Sequence, residues 1–378
     1  MEKRISGHTG LLALIGSPVG HSGSPAMYNY SFEKLGIDAA YLAFDIPLEK
    51  TKDAIDAFRT LNVGGFNITM PNKTAAAQLV DRLSPAAELV GACNTVVVEE
   101  DKTMTGHITD GIGFVRNLKE QGVGIEGKKI VLLGTGGAAT AIAVQAALDK
   151  ASEIAIFNRK DEFFANGEKT VEKIKKAVPS MKKIYIEDID DEKKLGEAIA
   201  GSDLLINATR AGMSPLENVL PVPEELLHKD LAVADVVYNP RETLLIKKAK
   251  EAGCKAAVGG IGMLLWQGAA AFELFTGKEM PAQEVMELFY RINVSITWST
   301  PSSSLERVMK SAVSFMIGCA FSMATPRPAY SIMDRSLKPS PQQIISLAVR
   351  PMLFNSFWRD CALSMFFGMI SKKNGSER

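Results

Sequence analysis

The sequence predicts an α/β fold built from parallel sheets that are covered by helices. Short apolar segments and longer segments with helical apolar spacing alternate regularly through residues 1–290, a pattern typical of parallel strands joined by helical crossovers. Several strand segments, among them Lys129–Leu133, are continuously apolar, as expected when both faces of a sheet are buried. At about 100–200 residues per domain, the 378 residues predict two or three domains.

In the first part of the chain, turn residues separate strands from helices. Ser24-Pro25 begins a helix, with Ser24 as its N-cap and Pro25 at the first helical position. Met70-Pro71-Asn72-Lys73 ends a strand and begins another helix. The predicted strands are Leu11–Ile15, Tyr41–Ile46, Gly65–Thr69 and Thr95–Val98, and the segment with helical spacing is Lys50–Leu61.

A second α/β part follows, and its spacing predicts a doubly wound sheet. Its strands are Lys129–Leu133, Glu153–Phe157, Lys183–Ile186, Asp203–Ala208 and Ala232–Val237, and its helices are Asp110–Leu118, Thr140–Leu148 and the closing Gly262–Thr276. We expect a first domain over residues 1–109 that is completed by the closing helices 262–290. A second domain is expected over residues 110–261, and a tail over residues 291–378.

The overall composition argues against several classes of protein. Lys plus Arg and Asp plus Glu both number 43, so a globally basic nucleic-acid-binding protein is not expected. The four cysteines form no Cys-x-x-Cys pair, so neither a disulfide framework nor a structural zinc site is expected. The sequence shows neither an apolar signal region nor an apolar run of about 18 residues. A cytoplasmic location, with no membrane contact for residues 1–290, is therefore expected.

The composition changes near residue 290. Residues 291–378 contain eleven Lys and Arg against four Asp and Glu, and proline interrupts them, as in Thr325-Pro326-Arg327-Pro328. The apolar patches Ser311–Ala324 and Cys361–Ile370 are shorter than a bilayer span. We expect a poorly ordered basic tail. A membrane-surface or partner-binding appendage is the alternative.

A glycine-rich turn joins the strand Lys129–Leu133 to a helix of small residues. The turn reads Gly134-Thr135-Gly136-Gly137-Ala138-Ala139, which matches the Gly-x-Gly-x-x-Gly/Ala fingerprint with alanine at its third position. Glycines let a pyrophosphate approach the backbone N–H groups, and the helix N-terminus supplies positive partial charge. The turn and its flanking elements predict a Rossmann-type nucleotide-binding domain. A plain structural turn is the alternative.

The residues after the next strand bear on the choice between NAD and NADP. That strand ends in Phe157-Asn158-Arg159-Lys160-Asp161. Arg159 and Lys160 are suited to pair with a 2′-phosphate and favour NADP. Asp161 is suited to the ribose hydroxyls and favours NAD. The two signals conflict. A protein that uses both NAD and NADP would be consistent with each of them. A solvated charged loop is the alternative, above all for Lys160.

Two charged residues at the starts of helices are candidates for acid–base chemistry. Lys73 and Asp110 carry side chains that commonly transfer or orient protons. The structural alternatives are an exposed lysine and a helix N-cap aspartate. His21 and His107 are further acid–base candidates, although neither has a partner at a recognisable spacing.

Together these strings resemble the shikimate dehydrogenase family over about residues 8–288. The strings that look most like its quinate/shikimate dehydrogenase branch are Met70-Pro71-Asn72-Lys73, Asn158-Arg159-Lys160-Asp161-Glu162-Phe163-Phe164 and Leu265-Trp266-Gln267-Gly268-Ala269. The resemblance rests on the order and spacing of the following segments. They are His21-Ser22-Gly23-Ser24-Pro25, Asn67-Ile68-Thr69-Met70-Pro71-Asn72-Lys73, Gly91-Ala92-Cys93-Asn94-Thr95, Thr109-Asp110-Gly111, Gly134–Ala138, Asn207-Ala208-Thr209, Tyr238-Asn239-Pro240 and Gly262-Met263-Leu264-Leu265-Trp266-Gln267-Gly268.

The resemblance implies reversible oxidation of shikimate to 3-dehydroshikimate and of quinate to 3-dehydroquinate. Hydride would pass to NAD or NADP, and no metal would be needed. Lys73 and Asp110 would form the catalytic pair. The substrate would be held by Ser22, Ser24, Thr69, Lys73, Asn94, Asp110 and Gln267. The cofactor would be held by Gly134, Thr135, Gly136, Gly137, Ala138, Asn158, Arg159, Asp161, Arg210, Tyr238 and Gly260. A homodimer is implied by the resemblance alone.

The sequence departs from the family pattern at two positions and in its tail. Ile108 stands where the family usually has asparagine, and Gly259 where it commonly has aspartate. The tail has no counterpart in the family. Two other functions stay open: a strictly NADP-dependent shikimate dehydrogenase of aromatic amino acid biosynthesis, and a non-catalytic sensor of quinate or shikimate. Retention of Lys73 and Asp110 argues against the sensor.

Overall fold

The first of two sheets is mixed but mostly parallel. The computed structural model describes residues 5–20 and 22–288, which lie in one compact unit. The first sheet consists of β1 (Gly10–Gly16), β2 (Ala39–Asp45), β3 (Gly65–Ile68), β4 (Arg82–Leu83), β5 (Thr95–Val98) and β6 (Met104–His107). Its strand order is β2-β1-β3-β5-β6-β4. Strand β5 is antiparallel to β3 and β6, so β1, β3 and β6 run in one direction.

The second sheet is entirely parallel and doubly wound. It consists of β7 (Lys129–Leu133), β8 (Glu153–Asn158), β9 (Lys183–Asp188), β10 (Leu204–Asn207), β11 (Ala232–Asp235) and β12 (Ala256–Val258). The strand order β12-β11-β10-β7-β8-β9 reverses between β10 and β7. Ligands of open α/β sheets bind at such a switch point, beyond the carboxyl ends of the strands. The predicted fold class, with its Rossmann-type sheet, is therefore confirmed.

Helices connect the strands and cover the sheets. They are α1 (Ser24–Leu35), α2 (Thr51–Thr60), α3 (Lys73–Ala77), α4 (Pro85–Val90), α5 (Asp110–Glu120), α6 (Gly137–Leu148), α7 (Phe164–Ala177), α8 (Glu192–Ala200), α9 (Leu244–Glu251) and α10 (Ile261–Thr276). Residues 282–288 are also helical. Within residues 5–20 and 22–288, no helix is long and apolar enough to cross a bilayer.

The second sheet is buried on both faces. Ile130 and Leu132 of β7 belong to the core shared with α6 and α7. Val131 and Leu133, which point to the opposite face, belong to the core shared with α8 and α9. This arrangement explains why the strand is continuously apolar, because successive side chains of a strand alternate between the two faces.

Helix α5 approaches its neighbours closely at two glycines. A Cβ on Gly111 would lie 2.4 Å from the carbonyl oxygen of Ala141 in α6, and a Cβ on Gly113 would lie 2.4 Å from the backbone nitrogen of Gln267 in α10. Arg116 and Glu273 join α5 to α10 again through two hydrogen bonds of 2.6 and 2.9 Å. Helix α10 comes late in the chain, yet this packing places it beside the start of α5.

The predicted cap of α1 is wrong, and several short elements were not predicted. The N-cap of α1 is Gly23, and Ser24 is the first helical residue. Ser22 Oγ accepts from the backbone N–H of Ser24 (3.2 Å), so the hydroxyl that serves this helix start comes from outside the helix. Sequence spacing gave no signal for β4, β6 and β12, which have only two to four residues each. The predicted tail over residues 291–378 lies outside the described residues.

Candidate active site

Residues that are distant in the sequence converge at one edge of the first sheet. The backbone N–H of Thr69, which follows β3, donates to Ile15 O at the end of β1 (2.8 Å). Asn94 precedes the antiparallel β5, and its carbonyl accepts from Ile68 N (2.8 Å). Asp110 begins α5 shortly after β6. Because β1, β3 and β6 run in one direction, the loops after them meet at the same edge.

Lys73 and Asp110 form an ion pair at this edge. Lys73 Nζ donates to Asp110 Oδ2 at 2.6 Å, and Asp110 Oδ1 accepts from Asn94 Nδ2 at 3.0 Å. The side chains of Lys73 and Asp110 are 27% and 16% exposed, so both are shielded but still open to a solute. Neither structural alternative holds, because this lysine is paired and the N-cap of α5 is Thr109.

The amide of Asn94 links this pair to helix α10. Asn94 Oδ1 accepts from the backbone N–H of Thr109 (2.9 Å). That N–H can only donate, so the opposite end of the amide, Nδ2, faces Asp110 and lies 3.4 Å from Gln267 Oε1. Gln267 Nε2 donates to Leu264 O (3.1 Å). The structure thus brings together four of the predicted substrate residues, namely Lys73, Asn94, Asp110 and Gln267.

The remaining predicted substrate residues lie beyond the strand ends, in loops or at the start of a helix. Ser22 and Ser24 are half-buried at the start of α1, and Thr69 is half-buried after β3. His21 lies outside the described residues. His107 is half-buried in β6, and burial lowers its pKa below the ordinary value. An acid–base role for His107 stays a prediction.

The glycine-rich turn lies at the carboxyl end of β7, where the strand order reverses. Gly134 has φ +105°, a conformation that favours glycine, and a Cβ there would lie 2.9 Å from Ala208 O. Gly136 and Gly137 are exposed, and a Cβ on either would meet nothing within 4 Å. Thr135 Oγ1 donates to Phe163 O (2.9 Å) and holds the turn against the β8–α7 loop. Open backbone at the start of the 12-residue α6 suits a pyrophosphate.

The acidic and basic side chains of the loop after β8 differ in their hydrogen bonding. Asp161 Oδ1 accepts from Phe163 N (2.9 Å) and from Asn158 Nδ2 (3.2 Å), so this carboxylate closes the turn. The side chains of Arg159 and Lys160 are exposed, and neither makes a hydrogen bond or an ion pair with the described residues. The cationic groups are therefore available to an anion, whereas one carboxylate oxygen of Asp161 is already engaged.

The other predicted cofactor residues follow β10, β11 and β12 at the same edge of the second sheet. Arg210 is exposed in the loop after β10, and Tyr238 is exposed after β11. Gly260 is buried after β12, where a Cβ would lie 2.4 Å from Val236 O. Ala138 is half-buried in the first turn of α6.

A buried carboxylate that the sequence did not indicate ties these loops together. Asp235 is 1% exposed. Its Oδ1 accepts from Asn207 Nδ2 (3.0 Å) and Val237 N (2.9 Å), and its Oδ2 accepts from Thr243 Oγ1 (2.6 Å). Burial raises the pKa of Asp235, and these hydrogen bonds act in the opposite direction. Asn207 Oδ1 in turn accepts from Thr209 N (3.1 Å).

Within residues 5–20 and 22–288, no group of three or more His, Cys, Asp or Glu side chains is arranged to hold a metal ion. The doubly wound sheet places the glycine-rich turn at its switch point, and the Lys73–Asp110 pair lies at one edge of the first sheet. These features together define a dinucleotide-dependent oxidoreductase.

Comparison with known proteins specifies the family. The model of the shikimate dehydrogenase substrate binding domain matches residues 14–96, and that of the shikimate 5′-dehydrogenase C-terminal domain matches residues 260–288. The shikimate dehydrogenase (NADP(+)) of Listeria monocytogenes serotype 4b is 50% identical over 291 residues, which are 77% of this chain and 99% of the relative. This chain therefore belongs to the shikimate dehydrogenase family.

Two solved structures illustrate the range of similar enzymes. A crystal structure of shikimate 5-dehydrogenase from Listeria monocytogenes, in complex with shikimate and NAD, matches with a TM-score of 0.74 and 50% identity, covering 76% of this chain and 99% of that one. The quinate dehydrogenase from Corynebacterium glutamicum, in complex with NAD, matches with a TM-score of 0.67 and 30% identity, covering 75% and 99%.

Proposed function

We propose that this chain oxidises shikimate to 3-dehydroshikimate reversibly, with NADP⁺ or NAD⁺ as acceptor, and that it also accepts quinate. The observation that carries the proposal is the Lys73–Asp110 pair, whose N–O distance is 2.6 Å. It lies at a sheet edge where Asn94 and Gln267 also converge. Oxidation of a secondary alcohol removes a proton from oxygen and a hydride from carbon, so a positioned proton acceptor is needed.

Lys73, in its neutral amine form, takes the hydroxyl proton in the forward direction and becomes the ammonium. In the reverse direction its ammonium returns that proton to the carbonyl oxygen. One carboxylate oxygen of Asp110 accepts a hydrogen bond from the lysine nitrogen, and the other accepts one from Asn94 Nδ2. The carboxylate thus orients the lysine and stabilises its charged form after proton transfer.

The substrate is held by polar groups around this pair. Ser22 and Ser24 bind the carboxylate at the start of α1, where backbone N–H groups also favour an anion. Thr69, Asn94 and Gln267 hydrogen-bond the ring hydroxyls. The similarity to a Listeria enzyme crystallised with shikimate supports this assignment.

The glycine-rich turn is suited to hold the pyrophosphate of the cofactor. Gly136 and Gly137 leave room that a Cβ would fill, and the N–H groups at the start of α6 are suited to phosphate oxygens. Asn158, Arg159 and Asp161 meet the adenosine ribose, and Arg210, Tyr238 and Gly260 line the path toward the nicotinamide. When bound, the nicotinamide accepts the hydride that leaves the alcohol carbon.

The unpaired Arg159 favours NADP⁺ over NAD⁺. A guanidinium forms strong charge-assisted hydrogen bonds with a phosphate. Within the described residues, no side-chain N–H group of Arg159 donates a hydrogen bond. Asp161 has one carboxylate oxygen engaged by the turn. The curated Listeria relative carries NADP(+) in its name, which supports the same preference.

Initial rates with shikimate or quinate, each with NADP⁺ or NAD⁺, test the proposed function on the full-length protein. We expect the highest kcat/KM with shikimate and NADP⁺, and lower but measurable turnover with quinate. Activity confined to shikimate and NADP⁺ would refute the quinate activity and leave a strict biosynthetic enzyme. If no combination gives turnover but calorimetry still detects shikimate binding, the proposed enzymatic activity is refuted. That result would favour a non-catalytic sensor of quinate or shikimate.

A further inference from the structure

A buried chain of hydrogen bonds leads from the interior of the first sheet to Asn94. Tyr41 OH donates to Asn67 Oδ1 at 2.7 Å, and Asn67 Nδ2 donates to Thr95 Oγ1 at 3.0 Å. Thr95 Oγ1 then donates to Asn94 Oδ1 at 3.1 Å. Tyr41 and Thr95 are fully buried, and Asn67 and Asn94 are 7% and 3% exposed, so water has little access to any of these groups.

The direction of every bond in this chain is determined by backbone groups at its two ends. Asn67 Nδ2 also donates to the carbonyl oxygen of Asn94 (3.2 Å), which can only accept. Asn67 must therefore present N–H to Thr95, and the hydroxyl hydrogen of Thr95 is free to point at Asn94 Oδ1. At the other end, Asn94 Oδ1 accepts from the backbone N–H of Thr109 (2.9 Å), which can only donate, and from the Thr109 hydroxyl (3.2 Å).

We propose that Thr95 is a positioning residue for the dehydrogenase reaction: its hydroxyl, oriented by Asn67, acts with the Thr109 donors to restrict the Asn94 amide to the orientation in which Nδ2 faces Asp110. The inference rests on the proposed function, because Asp110 is taken there to hold Lys73. Thr95 itself contacts neither Lys73 nor Asp110 by any hydrogen bond among the described residues. Its action passes through Asn94 alone.

The effect follows from burial. Removing the Thr95 hydroxyl leaves an N–H of Asn67 without a partner where water has little access, and a buried unsatisfied donor is costly. Asn94 retains the Thr109 bonds but loses the third donor to its oxygen, so its amide turns more freely. Asp110 Oδ1 then loses a fixed donor, and the carboxylate is less well oriented toward Lys73. We expect kcat to fall, with little change in the KM for NADP⁺.

Thr95→Val and Thr95→Ser separate the hydroxyl from the shape of the side chain. Valine matches threonine in volume and lacks the hydroxyl, whereas serine keeps the hydroxyl and lacks the methyl group. We expect Thr95→Val to lower kcat with shikimate roughly five- to thirtyfold, and Thr95→Ser to stay within about twofold of the wild type. Equal losses in both variants would overturn the proposal, because packing rather than hydrogen bonding would then decide the rate.

Thr51→Val is the matched control for buried threonine. Thr51 is 2% exposed, and its hydroxyl donates to Leu48 O (2.7 Å) at the start of α2; among the described residues no hydrogen bond joins it to Asn94. In thermal unfolding, Thr51→Val and Thr95→Val should lower the melting temperature by similar amounts. The kcat should fall only in Thr95→Val. A comparable loss of kcat in the control would attribute the effect to general destabilisation and overturn the proposal.

A readout that does not depend on turnover distinguishes this inference from the proposed function. The side-chain NH₂ resonances of Asn94 in NMR spectra should exchange slowly with water in wild type and Thr95→Ser, and faster in Thr95→Val. Unchanged exchange in Thr95→Val would overturn the positioning of Asn94. If exchange is faster in Thr95→Val but the wild-type protein does not oxidise shikimate, the proposed function is refuted. The inference that Thr95 positions the Asn94 amide would then still hold.

Discussion

Replacement of Asp110 by asparagine tests the candidate active site through a defined hydrogen-bond mismatch. The two carboxylate oxygens accept from Lys73 Nζ at 2.6 Å and from Asn94 Nδ2 at 3.0 Å. An asparagine has one acceptor oxygen and one NH₂ group in their place. If its oxygen meets Lys73, its NH₂ faces the NH₂ of Asn94, and if it is turned round, its NH₂ faces Lys73. One donor loses its acceptor in either orientation.

The magnitude of the loss follows from the kind of bond that is removed. A hydrogen bond to a charged group contributes about 1.5–3 kcal/mol, which corresponds to roughly 10- to 150-fold in rate. Misorientation of the lysine as proton acceptor adds to this, so we expect kcat with shikimate to fall toward ~10²–10³-fold. The assay is the initial rate of reduced nicotinamide formation with saturating NADP⁺.

Cofactor binding provides the control for Asp110→Asn. Asp110 lies at the edge of the first sheet, whereas the glycine-rich turn follows β7 of the second. The Kd of NADPH, measured by fluorescence titration, should therefore stay close to the wild-type value. A kcat within threefold of wild type would refute the reasoning, and a large loss of NADPH affinity would indicate a structural role for Asp110 instead.

Two further predictions concern the cofactor loop and a half-buried histidine. Arg159→Ala should raise the KM for NADP⁺ about tenfold or more and change that for NAD⁺ little, because the lost guanidinium pairs with the 2′-phosphate; equal changes for both cofactors in parallel kinetic titrations would contradict that pairing. Burial lowers the pKa of His107 in the folded protein below 6.5. As the pH falls through 6.5, His107 is therefore protonated in the unfolded chain before it is protonated in the folded one, and the free energy of unfolding decreases. Urea unfolding at about pH 7.5 and 5.5 should therefore show a larger loss for wild type than for His107→Gln, and a loss of equal size in both proteins would contradict this account.

Elements with strong apolar patterns were predictable from the sequence. The strands Thr95–Val98 and Lys129–Leu133 begin and end where the pattern places them, because each packs its apolar side chains on a continuous core. The glycine-rich turn was also predictable, since Gly134 must adopt a positive φ beside Ala208. Short edge elements such as Arg82–Leu83 bury too few side chains to leave a periodic signal.

The candidate site was predictable only in part. Lys73 and Asp110 were candidates as separate residues, and their pairing depends on which strand ends meet, which spacing does not determine. The N-cap role assigned to Ser24 was wrong, because Ser22 supplies the hydroxyl at that helix start. The buried bonds of Thr95 and Asp235 left no signal, since a buried polar residue and an exposed one have the same letter. The domain bounds, the homodimer and the cytoplasmic location stay predictions.

The most direct test of the central claim is the turnover of Lys73→Ala with shikimate and NADP⁺. Loss of a general acid–base group lowers rates by ~10²–10⁴-fold, and we predict a fall of kcat in that range with NADPH affinity unchanged. The side chain is only 27% exposed and pairs with Asp110, so its removal takes away the amine that the site holds against this carboxylate. Near-wild-type turnover in Lys73→Ala, with the variant folded, would contradict the assignment of Lys73 as the proton acceptor.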